Sequence, residues 1–230
     1  MVINPYDDQA VELALRLKEK NGGKITALTL GIKEETKVIK HALSMGIDEG
    51  IILADERFIG LDSFSTAYIL VKGIRKIGDY DLILCGRESA DWGEGLVGPI
   101  IAGKLDLPMV TLAEAIEGDV EELRVKRVTL DGYQIFSVPT PALVTVSSEV
   151  GQPRLPSGWG IVSATRKQVP TWNAGDIDVD PSQMMAVSAH RKLKKLYIPE
   201  SVRRCKIIEG DTTCEATEKL AEQLRQAGVI

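Results

Sequence analysis

With 230 residues, 44% hydrophobic and 27% charged, the chain has a globular composition and the length for one large α/β domain, alone or with an arm. A net charge of −5 offers no basic stripe for a phosphate backbone, so nucleic acid is excluded as an expected partner. No apolar run reaches the roughly 18 residues of a membrane span, and the start lacks a charged-then-apolar signal pattern. The expectation is a cytoplasmic protein, at most peripheral to a membrane and with no direct membrane insertion.

Taken in order, the chain opens with Asn4-Pro5 and a segment that places Ala10, Val11, Ala14, Leu15 and Leu17 on one helical face, closed by Asn21-Gly22-Gly23. Residues 24–30 read as a strand. Lys33 to Met45 carries Val38, Ile39, Ala42 and Leu43 at helical spacing and stops at Gly46. Residues 50–54 form a short buried strand, 62–77 a helix capped by Asp62 or Ser63, and 82–85 the next strand. Three alternations of apolar strand and helix predict a doubly wound, mostly parallel sheet, which binds ligands beyond the carboxyl ends of its strands.

After Pro108 the pattern changes. Residues 123–128 and 133–138 alternate on either side of Asp131-Gly132, which predicts a β-hairpin, and 142–146 returns as a buried strand. Residues 151–175 hold three prolines, four glycines and two tryptophans, and an irregular exposed excursion is expected there. Residues 214–226 carry Ala216, Leu220, Ala221 and Leu224 at helical spacing, a terminal amphipathic helix beyond a polar linker. The expected division is a nucleotide-binding domain over 1–175 and a linker with helical arm over 176–230.

Little else in the sequence points to chemistry. Cys85, Cys205 and Cys214 are odd in number and widely spaced, suggesting neither a disulfide framework nor a metal site. Cys85 reads as a buried strand residue. His41 and His190 lie far apart and encourage neither zinc binding nor Ser-His-Asp hydrolysis.

The stretch 86–99, GRESADWGEGLVGP, contains a literal G-x-G-x-x-G at Gly93, Gly95 and Gly98. A dinucleotide fingerprint needs those glycines directly after a strand, with an acid about 20 residues on that ends the next strand. Here Gly93 follows Gly86 by seven residues, and Glu114 and Glu117 end no convincing strand. The three glycines therefore read as turn glycines. The whole loop is more telling: Gly86-Arg87 stands at a strand's carboxyl edge, and Val97-Gly98-Pro99 opens a helix. That combination suits a phosphate.

Four segments together resemble the β subunit of electron transfer flavoproteins. They are NPYDDQAVELALRLKEKNGGKITALTLG (4–31), HALSMGIDEGIIL (41–53), DLILCGRESADWGEGLVGP (81–99) and PALVTVSSEVGQPRLPS (141–157). The third matches a family pattern close to D-L-I-L-x-G-x-Q-A-x-D-x-D-x-x-Q-V-G-P. The resemblance covers about residues 2–172. It implies an adenine nucleotide alpha hydrolase-like fold and a heterodimer with an α subunit that carries a redox FAD. The β subunit would hold AMP, or a second FAD as in electron-bifurcating branches, and act as an electron-carrier subunit rather than a self-sufficient enzyme.

By position, the resemblance assigns nucleotide contacts to Asn4, Pro5, Tyr6, Asp7 and Leu30. The loop Gly86, Arg87, Glu88, Ser89, Ala90, Asp91, Trp92, Gly93, Glu94, Gly95, Leu96 and Val97 supplies the rest. Asp62, Ser63 and Thr66 lie in a stretch closer to FAD-binding relatives, although a plain helix cap explains Asp62 and Ser63 as well. The choice leans to FAD. Three departures stand out. Gly93 and Leu96 replace an Asp and a Gln, Trp92 replaces a small or acidic residue, and the family's first strand, with its Val-Lys-Gln-Val-Pro stretch, is not in this sequence.

The 151–172 excursion maps onto the family's recognition loop. Gly158 falls where relatives have the anchoring leucine, with Trp159 beside it as the proposed anchor and core packing as the alternative. The implied partners are the α subunit and acyl-CoA dehydrogenase-type or membrane quinone oxidoreductase proteins. The rival readings are a stand-alone adenine-nucleotide-binding enzyme and an AMP-sensing structural subunit. An enzyme would need an ATP-phosphate motif and a metal carboxylate, and neither is found.

Overall fold

The computed structural model describes residues 2–31, 36–119, 121–187, 194–198 and 205–229. Two compact units divide at Lys192/Leu193. The first begins with helix α1 (Pro5–Asn21), followed by β1 (Thr26–Leu30), α2 (Thr36–Met45), β2 (Glu49–Leu53), α3 (Ser63–Ile77), β3 (Leu82–Gly86) and α4 (Val97–Leu105). It continues through β4 (Met109–Gly118), β5 (Glu122–Thr129), β6 (Gly132–Pro139), β7 (Ala142–Val146), α5 (Gly158–Arg166), β8 (Thr171–Trp172) and α6 (Pro181–Val187). Residues 33–35 of the helix expected from Lys33, and His190, lie outside the described residues. The second unit contains α7 (Thr213–Gln226), whose N-cap Thr212 accepts a hydrogen bond from the Glu215 N–H at 3.3 Å.

One mostly parallel sheet was expected, and the described residues form two sheets, one parallel and one mixed. β1, β2 and β8 form a three-stranded parallel sheet in the order β1-β2-β8. The other is mixed, in the order β3-β7-β4-β5-β6. β3, β7 and β4 are parallel there, and the predicted hairpin β5–β6 adds antiparallel pairs. The strand β4 breaks register between Val110 and Ala113, where Leu112 takes a left-handed φ of 59°.

The two sheets nonetheless share their covering layers. On one face α1 shares apolar clusters with both, Val11 and Leu15 with Ile25 and Ala27, and Ala10, Leu13 and Leu17 with Leu82 and Leu84. On the other face Ala67 and Val71 of α3 and Ile101 of α4 cluster with Leu28 of β1 and with Ile83 and Cys85 of β3. β1 and β3 thus lie in one layer without pairing with each other. Every residue of both strands is half-buried, whereas β7 is buried throughout and β2 from its second residue on. A strand inside such a layer ordinarily bonds on both edges.

These open edges have a measurable consequence. Backbone amides on the free edges of β1 and β3, apart from Gly86, whose N–H is bonded to Asp7, should exchange with deuterium ~100-fold faster than those of β2 and β7, since exchange follows local opening. Equal protection of all four strands would mean that the edges are paired in solution.

The 151–175 excursion is not irregular. Ser157 caps α5 by accepting the Gly160 N–H at 3.0 Å, and β8 adds to β2 through Thr171 and Trp172. Gly160 sits so close to α2 that an added Cβ would lie 2.3 Å from the Ser44 carbonyl oxygen. The proline and glycine content reflects a capped helix in tight contact, which composition alone mimics as loop.

Candidate functional site

The first turn of α1 and the loop after β3 are built as one piece. Pro5 occupies the first helical position, where a missing N–H costs nothing. Asn4, the residue before it, spends its side chain on the loop instead of capping its own helix. Its Nδ2 donates to Asp7 Oδ2 at 2.8 Å and to the Glu88 carbonyl at 2.9 Å, while its Oδ1 accepts the Ala90 N–H at 3.1 Å. Asp7 Oδ1 in turn accepts the Gly86 N–H at 2.6 Å. Asn4 and Asp7 therefore shape the loop through their own side chains. Neighbouring Cys85 is a thiol rather than a thiolate, since burial, together with the Asp7 charge, pushes it up to about 12.

Arg87 extends from the carboxyl end of β3, with its guanidinium 4.7 Å from the Tyr6 ring centroid and 2.8 Å from Glu88 Oε1. With Glu88, Gly95, Thr111, Leu112 and Thr145 it lines a cleft of about 270 Å³. The Thr145 hydroxyl accepts the Leu112 N–H at 3.1 Å and so holds the left-handed residue of β4 in place. Thr111, Leu112 and Thr145 escaped the sequence reading. The one available signal was a threonine inside the apolar run ALVTV.

The glycines of the G-x-G-x-x-G do separate jobs. Gly93 and Gly95 adopt φ of 61° and 63°, which side chains rarely tolerate. Gly98, in α4, passes so close to the sheet that a Cβ would meet Thr145 Cγ2 at 2.8 Å and Cys85 Sγ at 3.0 Å. This third glycine is thus a packing glycine, not the turn glycine expected.

Loop and α3 also meet. Ser63 Oγ donates to Glu94, which brings the carboxyl ends of β2 and β3 to one end of the unit. Asp62 Oδ1 accepts the Ser65 N–H at 2.9 Å as a helix cap. Its other oxygen, Oδ2, is buried and accepts no hydrogen bond among the described residues. Such an orphan acceptor beside the loop suits a hydroxyl donor of a bound ligand.

The remaining expected residues are spread more widely. Thr66 follows on the first turn of α3, and its N–H bonds the Asp62 carbonyl at 3.0 Å. Ser89 accepts the Gly93 N–H at 2.9 Å through its carbonyl, while Asp91 accepts that of Trp92 at 2.9 Å through its side chain. Trp92 and Leu96 are exposed, and Val97 begins α4. Leu30 ends β1 but packs toward Ile51, Leu53 and Phe58. Gly158 and Trp159 start α5, apart from the loop, and Trp159 is 76% exposed, so it takes no part in the core.

Among proteins similar to this chain, one named electron transfer flavoprotein subunit beta, from Thermoanaerobacterium thermosaccharolyticum, is 38% identical over the whole chain and 88% of its own length. The acryloyl-CoA reductase electron transfer subunit gamma of Anaerotignum propionicum is 37% identical and the caffeyl-CoA reductase-Etf complex subunit CarD of Acetobacterium woodii 31%, both over the whole chain and 88% of their own lengths. The family model described as electron transfer flavoprotein domain matches residues 1–177. The chain belongs to the electron transfer flavoprotein β-subunit family. Membership carries association with flavin and with an α subunit. Among the described residues of this β subunit, no helix is long and apolar enough to cross a membrane, and no group of three or more His, Cys, Asp or Glu side chains is placed to hold a metal ion.

Proposed function

We propose that this β subunit binds an adenine nucleotide between the first turn of α1, the 86–97 loop and the start of α3, and that the nucleotide is a second FAD rather than AMP. The observation that carries the reading is the clamp of Asn4 and Asp7 on Gly86, Glu88 and Ala90, which holds a glycine-bearing loop open at the carboxyl end of β3. Backbone N–H groups at the start of α4, beside Arg87, suit phosphate, and the orphan Asp62 Oδ2 suits a sugar or ribityl hydroxyl. The acidic side chains Glu88, Asp91 and Glu94 leave recognition of the anion to the backbone and Arg87. Bound flavin would supply the redox chemistry, and the chain would position and shield it.

In this reading residues 1–175 hold the nucleotide, the linker and helical arm over 176–230, of which 176–187 pack within the first unit, serve the heterodimer with the α subunit, and α5 docks the electron-transfer partner through Trp159. The names of the acryloyl-CoA and caffeyl-CoA reductase subunits support an acyl-CoA dehydrogenase-type protein as that partner. A membrane quinone oxidoreductase is the alternative partner.

The test is the ligand content of the co-expressed heterodimer after denaturing extraction. Two FAD per dimer is expected, and Asn4→Ala should lower retention of the one in the β subunit about 5- to 150-fold, the effect of losing its two hydrogen bonds to the loop at roughly 1–3 kcal/mol in all. One FAD together with one AMP would overturn the choice of FAD. No adenine nucleotide beyond the α-subunit FAD would overturn the site.

A further inference from the structure

The outer face of α5 and its lead-in are apolar and uncovered, with Trp159 76% and Val162 44% exposed on the helix and Leu155 82% just before it. Its inner face packs on α2, through Gly160 against Ser44 and the buried Ala164, and polar contacts hold both of its ends. Lys40 Nζ, from α2, takes the carbonyls of Ala164 at 2.6 Å and Thr165 at 3.3 Å at the far end. At the near end the lead-in segment is held by α1. Arg16 Nη1 donates to the Val150 carbonyl at 3.3 Å, and Glu12 Oε2 accepts from both the Arg154 backbone N–H at 3.1 Å and its Nε at 2.8 Å. The Arg154 fork reaches a second carboxylate, Glu19, through Nη1 and Nη2.

Glu12 is 4% exposed, and its carboxylate closes this arrangement by accepting also from Arg16 Nε at 2.7 Å. A planar guanidinium that spans two carboxylates fixes direction as well as distance, which a lysine ammonium does not. The residue fixed in this way lies immediately before Leu155, the first of the exposed apolar side chains. The same helix, α1, carries Asn4 and Asp7 one to two turns earlier, so the lead-in to α5 and the 86–90 loop rest on one rigid element.

We propose that Arg154, held by Glu12, is a positioning residue for partner docking: it sets the angle at which α5 presents Leu155 and Trp159. This rests on the reading of α5 as the docking element. Arg154 touches no reacting group and acts through Trp159.

The experiment uses purified heterodimers carrying Arg154→Lys, Trp159→Ala or both, titrated with a purified acyl-CoA dehydrogenase that the unsubstituted heterodimer accepts. Each single variant is expected to raise KM about tenfold or more with kcat within about twofold, and the double variant to be no worse than the poorer single one, as for residues acting through one contact. Amide exchange across 151–166 should rise in Arg154→Lys while that across 82–97 stays unchanged. A normal KM in Trp159→Ala would sink the docking reading itself. A raised KM in Trp159→Ala with a normal KM in Arg154→Lys, or additive effects in the double variant, would overturn the positioning role alone. Faster exchange across both segments in Arg154→Lys would also overturn it, by showing general loosening.

Discussion

Gly86→Ala is expected to unseat the first turn of α1 and to empty the proposed nucleotide site. A Cβ at this position would lie 2.7 Å from Tyr6 Cβ and 2.9 Å from both the Asp7 nitrogen and the Tyr6 carbonyl carbon. None of these is the far end of a flexible side chain, so a rotamer change relieves nothing. Either α1 lifts away or Gly86 withdraws from its pairing with Val146. Overpacking costs about 1–3 kcal/mol, and the bond from the Gly86 N–H to the Asp7 carboxylate is worth about 1.5–3 kcal/mol more. Together that is a fall in melting temperature of roughly 5–20 °C for a domain of this size. Thermal unfolding and nucleotide analysis of the heterodimer check both halves. An unchanged melting temperature with full nucleotide occupancy would show that α1 yields freely.

The second large effect concerns Glu12 and pH. Burial by itself would raise this carboxyl, but hydrogen bonds from the Arg154 side chain and backbone and from Arg16 outweigh it and hold the group at about 2, against a usual 4.5. A folded-state value below the unfolded one stabilises the fold above the unfolded value, and that stability is lost as pH falls from about 4.5 toward 2. At 1.36 kcal/mol per unit, the contribution at neutral pH is about 3 kcal/mol. Glu12→Gln should therefore lower the urea unfolding free energy by about that amount at pH 7, and the gap from the unsubstituted protein should close progressively as pH falls toward 2. Asp55, held low chiefly by hydrogen bonds from Arg57, and Glu149, held low chiefly by the Ser147 hydroxyl, keep an acid limb in both proteins. The difference curve reports Glu12 together with Glu19, which shares Arg154 and feels the Glu12 charge. Parallel pH profiles with a constant gap would contradict the assignment.

Much of this architecture was legible in the residues. Period and cap signals located α1, α3, the β5–β6 hairpin and β7 close to their observed bounds, because apolar spacing and N-cap chemistry are local. β4 was hidden, since the left-handed Leu112 breaks its alternation midway. α5 was hidden because Gly158 and Gly160 resemble loop residues until the approach of Ser44 gives Gly160 a reason. The loop 86–97 was found from its position after a strand. The grip of Asn4 on Glu88 and of Glu12 on Arg154 joins residues far apart in the chain, and no spacing rule reaches that distance. Splitting of the sheet was equally invisible, because an apolar run reads the same whether a strand is bonded on one edge or two.

That split gives the open edges of β1 and β3 a second meaning. Helices bridge the break on both faces, but among the described residues no strand ladder crosses it, so the two slabs are joined chiefly by side-chain packing. The groups gathered at the carboxyl ends belong to different slabs: Ser63 and Asp62 come from the one built on β2, Arg87 and Glu94 from the one built on β3. A molecule seated among them works as a cross-tie over the seam. With the proposed nucleotide there, its removal would take stiffness from the whole body, and not only from the pocket.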